Sequence, residues 1–240
     1  MRKTFTKVTP TMTASVQAAG TYGDTKILFD WHKVEGFKGG SIDSIKLILR
    51  GTNGADQTVR AIDLLFATSE IATLADGVNV SVSQTPPSLG TENAIITTYG
   101  WQNNLTGYVP IVTSDFNDGD LVVLNIANKD LSGMEIPVSG DLYVAALAKD
   151  SAALDFRSTV ICDGVQAITQ STLTVKTTSA LINFAPGDVL HDENDRAIGT
   201  VKTVNSATEM TMTTNLVNAT VDNKDLYALS PIQLILGGTA

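Results

Sequence analysis

Apolar and polar residues alternate along much of this chain with a period of two, the period that sends successive side chains to opposite faces of a sheet. Segments carrying the pattern are residues 26–31, 44–50, 61–67, 93–99, 121–127, 141–148, 159–162 and 172–176. Between them stand clusters rich in Gly, Asn, Asp and Ser at 36–40, 51–54, 117–120 and 132–133, where glycine supplies positive φ and Asn or Asp tolerates it. Many short strands with such spacers predict an all-β protein whose main domain is a β-sandwich or jelly roll. Helical pattern is thin. The alanine-rich stretch 145–153 allows a turn of helix, but Tyr143 and Val144 just before it read as strand. Residues 75–90 carry Pro86 and Pro87 near their end, which cannot continue a ladder, so a long surface loop is expected there.

A second unit is expected over 177–229. From Phe184 the chain reads as strand, hairpin turn, strand, turn, strand: Ala185-Pro186-Gly187-Asp188-Val189-Leu190, an acidic turn, 197–204, the turn Asn205-Ser206-Ala207-Thr208, and 209–213. Shorter pieces at 217–220 and 226–228 complete a small five-stranded β-barrel module. Residues 231–236, Pro-Ile-Gln-Leu-Ile-Leu, read as a strand that returns to the first sheet. The main domain is then 1–176 plus 230–240, with the module inserted near its end. At the other end, residues 1–21 hold Arg2, Lys3 and Lys7 and no acid. Pro10 disfavours helix there, so an extended arm is expected, its charge suited to acidic surface on a neighbouring subunit, with a frayed terminus as the alternative.

Composition strengthens the β reading. Charged residues are only 17% of the chain, against a usual quarter, and threonine, with 31 copies, supplies polar surface from a β-branched side chain suited to the wet face of a strand. A formal charge of −9 argues against nucleic acid as a partner, because phosphate contacts need clustered Lys and Arg. The single cysteine, Cys162, allows no internal disulfide and reads as a small buried hydrophobe after Val160 and Ile161. The start, Met1-Arg2-Lys3-Thr4-Phe5-Thr6-Lys7, has no continuous apolar stretch behind it and does not read as a secretory signal. No membrane-spanning window is apparent, so synthesis and retention in a cytoplasm are expected. Sequons begin at Asn79, Asn104 and Asn218, which a threonine-rich chain produces by chance.

Candidate chemistry is sparse. His32 and His191 are the only histidines; they fall in different predicted units and lack the short spacing of a zinc site. There is no G-x-S-x-G elbow, no G-x-x-x-x-G-K-[ST] and no G-x-G-x-x-G, the motifs that mark a nucleophile or a phosphate cradle. His191-Asp192-Glu193-Asn194-Asp195-Arg196 resembles a calcium loop, but counting from Asp192 the fifth and sixth places are Arg196 and Ala197, where that loop needs an oxygen donor and glycine. A solvated hairpin turn is the expectation, as it is for Asp115-Phe116-Asn117-Asp118-Gly119-Asp120. Trp31, Trp101, Tyr22, Tyr99 and Tyr108 offer aromatic surface for a sugar platform, yet at strand positions such residues fill a core or a subunit interface. No catalytic, cofactor-binding or metal-binding residue is assigned, and no enzyme activity or cofactor is expected.

The run Gly23-Asp24-Thr25-Lys26-Ile27-Leu28-Phe29-Asp30, then Gly39-Gly40-Ser41-Ile42-Asp43-Ser44-Ile45-Lys46-Leu47-Ile48-Leu49, then Ala61-Ile62-Asp63-Leu64-Leu65-Phe66, resembles a loosely defined group of tailed-bacteriophage virion structural proteins. Gly140-Asp141-Leu142-Tyr143-Val144-Ala145-Ala146-Leu147 is similar to a later strand of that group, and 184–190 with Ile198-Gly199-Thr200-Val201 is similar to a β-module of phage structural proteins. These motifs are strand patterns with no catalytic signature, and the group transfers no functional residues. The resemblance implies a capsid decoration or cement protein, a β-sandwich that binds the capsid lattice and stabilises it. Its implied partners are the major capsid protein and further copies of itself, with trimers at three-fold lattice positions as one arrangement. Nucleic acid and membrane are not among them, and its place is the virion, assembled in the bacterial cytoplasm. The alternative is a tail-fibre or baseplate adhesin with a carbohydrate-binding face.

Overall fold

The alternation resolves into strands almost throughout. The computed structural model describes residues 3–18, 21–24, 26–37, 39–50, 59–68, 105–117, 124–150, 154–176 and 184–239; the strand expected at 93–99, the loop at 75–90 and the turn at 51–54 lie outside them. Strands β1 (Lys3–Val8), β2 (Thr21–Tyr22), β3 (Ile27–Lys33), β4 (Gly39–Arg50), β5 (Ile62–Ala67), β6 (Leu105–Ile111), β7 (Phe116–Asn117), β8 (Leu124–Asp130), β9 (Ile136–Ser139), β10 (Tyr143–Ala148) and β11 (Leu154–Asp155) come first. Strands β12 (Thr172–Thr174), β13 (Val189–Asp192), β14 (Ala197–Val204), β15 (Glu209–Met212), β16 (Leu226–Ala228) and β17 (Ile232–Thr239) follow. Among the described residues the one α-helix, α1 (Ala14–Ala18), has five residues, and the fold is all-β.

Two antiparallel sheets form the larger part. One runs β1-β17-β4-β8-β7, with β9 pairing the first part of β4, and the other runs β3-β10-β5-β6. Their inner faces share a single apolar core, sandwich-like, to which Leu47, Leu49, Leu234 and Leu236 come from the first sheet and Phe29, Leu64, Phe66 and Val144 from the second. Each such side chain contributes about 1.5–3 kcal/mol by leaving water. The second sheet is buried on its outer face as well, by Ile27, Leu65, Ala145 and Leu147. Central strands covered on both sides lose the alternating pattern: all six residues of β5 are buried. The same position explains the alanines of β10, which takes residues 143–148 into strand and excludes helix there, with small side chains between two partner strands.

The long strand β4 shows how register follows sequence. Ile42 and Ile45 are both buried, yet residues three apart on a regular strand face opposite ways. The pairing with β17 slips between Gly237, opposite Ser44, and Gly238, opposite Ile42. Asp43 is the extra residue of this bulge, which turns Ile42 back towards the core. Asp43 also marks the point where β4 exchanges β9 for β8 as its neighbour, and its carbonyl accepts the Leu131 N–H at 2.8 Å. At the bulge the successive glycines of β17 each admit a ring: a Cβ on Gly238 would stand 2.6 Å from Phe37 Cζ in the core, and one on Gly237 would stand 3.0 Å from Phe5 Cε1 on the outer face.

The N-terminal arm is extended, but it is an edge strand of its own molecule, with Lys3 to Val8 paired against Thr239 to Leu234 of β17. Backbone pairing satisfies groups that a free arm would leave to water. Beyond Pro10 the chain turns into α1, a short helix within the stretch 1–21 that was expected to be extended.

Strands β2 and β11 pair in a two-stranded sheet, and a further sheet runs β12-β15-β14-β13-β16. Hairpins join β13 to β14 and β14 to β15, at the turns expected from the sequence. Its two edges are linked by residues 160–163: Cys162 N donates to Lys224 O beside β16, and Lys176 N donates to Ile161 O beyond β12, so the hydrogen-bonded path returns on itself. Val160, Cys162, Leu173 and Val175 join Leu190, Ile198, Val201, Met210, Met212 and Leu226 in a second core. This core starts at Val160, ahead of 177, because the segment that links the edges precedes β12 in the chain. Afterwards β17 enters the first sheet between β1 and β4.

Candidate interaction surface

The outer face of the first sheet is built by the residues that alternate with the core. From β4 come Ser44, Lys46 and Ile48, from β8 Ile126, Asn128 and Asp130, and from β17 Gln233, Ile235 and Gly237, in rows set by the register. On β1 the pattern Lys3-Thr4-Phe5-Thr6-Lys7 sends Lys3, Phe5 and Lys7 outward, where all three are exposed. Phe5 is 72% exposed and lies opposite Gly237. Beside it a shallow depression of about 410 Å³ has Phe5, Lys46, Asn128, Lys129, Asp130 and Ile235 among its lining residues. On a chain of net charge −9, this face gathers three lysines, Lys3, Lys7 and Lys46, around an exposed ring. Lys46 lies between Ile235 and Asn128 across the sheet.

The acidic turn that resembled a calcium loop is a fastener between the two cores. Asp192 is buried; its carboxylate accepts the Asn194 and Arg196 N–H groups at 3.0 and 3.1 Å and the Arg196 Nε at 3.0 Å. Glu193 pairs with Lys224. Asp195, in the left-handed region at φ 62°, reaches across to the start of α1, accepting the Ser15 N–H at 2.9 Å and the Ser15 hydroxyl. Burial opposes its ionisation, but bonds from Ser15, Ala14 and Thr13 hold its carboxyl below the ordinary value. On the other side of α1, Gln17 is 2% exposed and its Nε2 donates to Met12 O at 2.8 Å and Ala228 O at 2.9 Å. Met12 N donates to Leu229 O at 2.8 Å, and Arg50 pairs with Asp188 at 2.6 Å.

The other sequence candidates are dispersed. His32 lies in β3, where burial pulls its imidazole below the ordinary value against the pull of Glu35; His191 lies in β13 on a different sheet, with no partner for Nδ1. Cys162 is buried in the second core, and burial pushes its thiol up. Tyr22 is a core residue, its ring edge-on to Phe156 at 5.6 Å and its hydroxyl donating to Val16 O at 2.8 Å. Trp31 packs on the outer cluster of the second sheet, whereas Trp101 and Tyr99 lie outside the described residues. Tyr108 is 51% exposed and bonds to Asp63. Asp115 pairs with Lys129 at 2.8 Å, and Asp118 and Asp120 lie outside the described residues. Among the described residues no group of three or more His, Cys, Asp and Glu is arranged for a metal, and no helix is long and apolar enough to cross a membrane. Of the outer face, the sequence singled out Lys3 and Lys7 as charge of the arm but not Phe5 or Lys46, although Lys3 to Lys7 carry a period of two themselves. No protein-family profile and no curated protein matches the chain.

Proposed function

We propose that this chain is a non-enzymatic structural component of a phage particle, a head decoration protein that binds and stabilises the capsid lattice. The observation that carries the reading is the outer face of the first sheet, where Phe5, between Lys3 and Lys7 on β1, stands beside a shallow depression whose lining includes Lys46, Lys129 and Asp130. An exposed aromatic beside a depression anchors a protein contact, and lysines around it favour an acidic counterpart and steer the encounter. The backbone beneath is a paired sheet, so the face is preorganised and binding orders little of it. The resemblance of the strand motifs to virion proteins supplies the identity of the partner.

Heads of the encoding phage, prepared without this chain, are the test. Purified protein is expected to co-sediment with them, with less bound as salt rises, because exposed ion pairs are screened. The double substitution Phe5→Asp and Lys46→Glu is expected to lower the bound fraction by about tenfold or more, the loss typical of a truncated anchor. Unchanged binding by that variant, or no binding by the natural chain, contradicts the proposal. Selective signal on a glycan array points to the adhesin instead.

A further inference from the structure

We infer that the outer face of the first sheet pairs with the same face of a second copy, the two related by a half-turn. The face carries charge of both signs, at opposite edges. On β1 stand Lys3 and Lys7, with the exposed Phe5 between them. At the far edge, beyond β17 and β4, stand Asp130 at the end of β8 and Glu135 just before β9, both exposed. In the turn between these acids Met134 is 72% exposed, as Phe5 is. The register fixes the layout: Phe5 lies opposite Gly237, Gly237 opposite Ser44, and Ser44 opposite Asp130. Three strand spacings, about 14 Å, separate the aromatic edge from the acidic one. The turn sits level with the bulge of β4, where Leu131 N donates to Asp43 O and Met134 N to Leu131 O. A depression of about 540 Å³ there has Asp43, Glu135 and Thr239 among its lining residues.

The acids are set in place by their own turn. Asp130 Oδ1 accepts the Ser132 N–H at 2.9 Å and the Ser132 hydroxyl at 2.6 Å, and Glu135 accepts the Gly133 N–H at 3.1 Å. Among the described residues none of Lys3, Lys7, Lys46, Asp43, Asp130 and Glu135 forms an ion pair, whereas Lys129 beside them is taken by Asp115. Both edges of the face thus lack a counter-charge. A purely acidic partner answers only the lysine edge, and a purely basic one only the other. A second copy answers both, because a half-turn about the middle of the face carries each Phe5 to the other copy's Met134, with Lys3 towards Asp130 and Lys7 towards Glu135. Thioether against ring is itself a favourable contact. Gly237 and Ser44, between the edges, present little side chain to obstruct it. Four strands make a small interface, so the dimer is weak and reversible. It covers the lysines proposed to meet the capsid and so belongs to the free protein, but the pairing itself does not rest on that role.

Sedimentation equilibrium of the full chain without heads, over a range of protein and salt concentrations, tests the inference. The expected result is a reversible dimer that weakens as salt is raised, since exposed charge leads the contact. Lys3→Glu with Lys7→Glu makes one variant, and Asp130→Lys with Glu135→Lys makes another. Each alone sets like charges against each other at both ends of the contact and is expected to dimerise at least about tenfold more weakly. Mixed together, the two restore opposite charges at both ends, and a mixed dimer close to the natural one in affinity is expected. That recovery is particular to a second copy as the partner. If the acidic-edge variant fails to fold, Lys7→Glu mixed with Glu135→Lys, which leaves the Asp130 bonds to Ser132 intact, is expected to show the same recovery. A natural chain that stays monomeric throughout overturns the inference, as does a dimer that tightens with salt or a pair of folded variants that does not recover on mixing.

Discussion

Gln17 fastens the two cores together, and its amide can be removed without removing its bulk. In Gln17→Met the chain length and apolar stem remain, but Met12 O and Ala228 O lose the Nε2 donor that reaches them at 2.8 and 2.9 Å. The site is 2% exposed, so water does not replace the amide without rearrangement. A buried acceptor left without its donor costs roughly 1–3 kcal/mol, which puts the pair at about 2–6 kcal/mol. For a chain of this size 1 kcal/mol shifts the melting temperature by about 2–4 °C, so a fall of at least about 4 °C is expected by calorimetry. Hydrogen exchange should quicken at Met12 N, which donates to Leu229 O beside the lost amide. Asp195→Asn, at the start of the same helix, is expected to combine with Gln17→Met less than additively, since both release α1. A melting temperature within 2 °C of the natural chain, with unchanged exchange at Met12, refutes this account of the joint.

Asp63 is 4% exposed with one carboxylate oxygen unpartnered, and burial raises it above its ordinary 3.8 against the opposing pull of Tyr108 and Lys149. Its protonated form suits the fold, so that contribution is complete below pH 3.8 and is lost as pH rises through the folded value. Asp63→Asn should therefore stabilise at neutral pH, with the advantage over the natural chain vanishing in acid; a gap independent of pH refutes it. Cys162 is buried and its thiol pushed up, so a thiol reagent should label it only along with unfolding of the second core; rapid stoichiometric labelling of the native chain contradicts that. Gly238→Ala places a Cβ 2.6 Å from Phe37 Cζ and against the Ser41 carbonyl and should cost about 1–3 kcal/mol or more by overpacking. Gly39→Ala, where the nearest atom is Val138 O at 4.0 Å, should change stability far less, and equal effects of the two refute the role given to the bulge.

The all-β class was legible in the sequence because strands with one wet face write a period of two. The hairpins of β13, β14 and β15 stood out for the same reason, with turns at 205–208 and at the acidic 191–196. Strand β4 was read only from Ser44 because Ile42 and Ile45 break the period, and the bulge that reconciles them depends on β17, nearly two hundred residues away in the chain. Strand β6 was not read as a strand. Gly107 and Pro110 punctuate it, and their tolerance comes from tertiary context: Gly107 makes room for the Ile136 side chain, 2.8 Å from where its Cβ would stand, and Pro110 lies on a strand that is at the sheet edge among the described residues, a place that tolerates proline. The acidic turn was read as a hairpin turn and joins β13 to β14, but nothing local announces that Asp195 reaches α1. The lysine-bearing face was hidden for a similar reason. Lys3, Lys7 and Lys46 become neighbours only when β17 comes between β1 and β4.

Antibody labelling of purified phage particles, read by electron microscopy, tests the proposed role most directly. A decoration protein predicts regular label over the outer surface of the head, lost when particles are washed at high salt if the lysine face makes the contact. Particles without label contradict the account, and label confined to the tail replaces the decoration role with the adhesin.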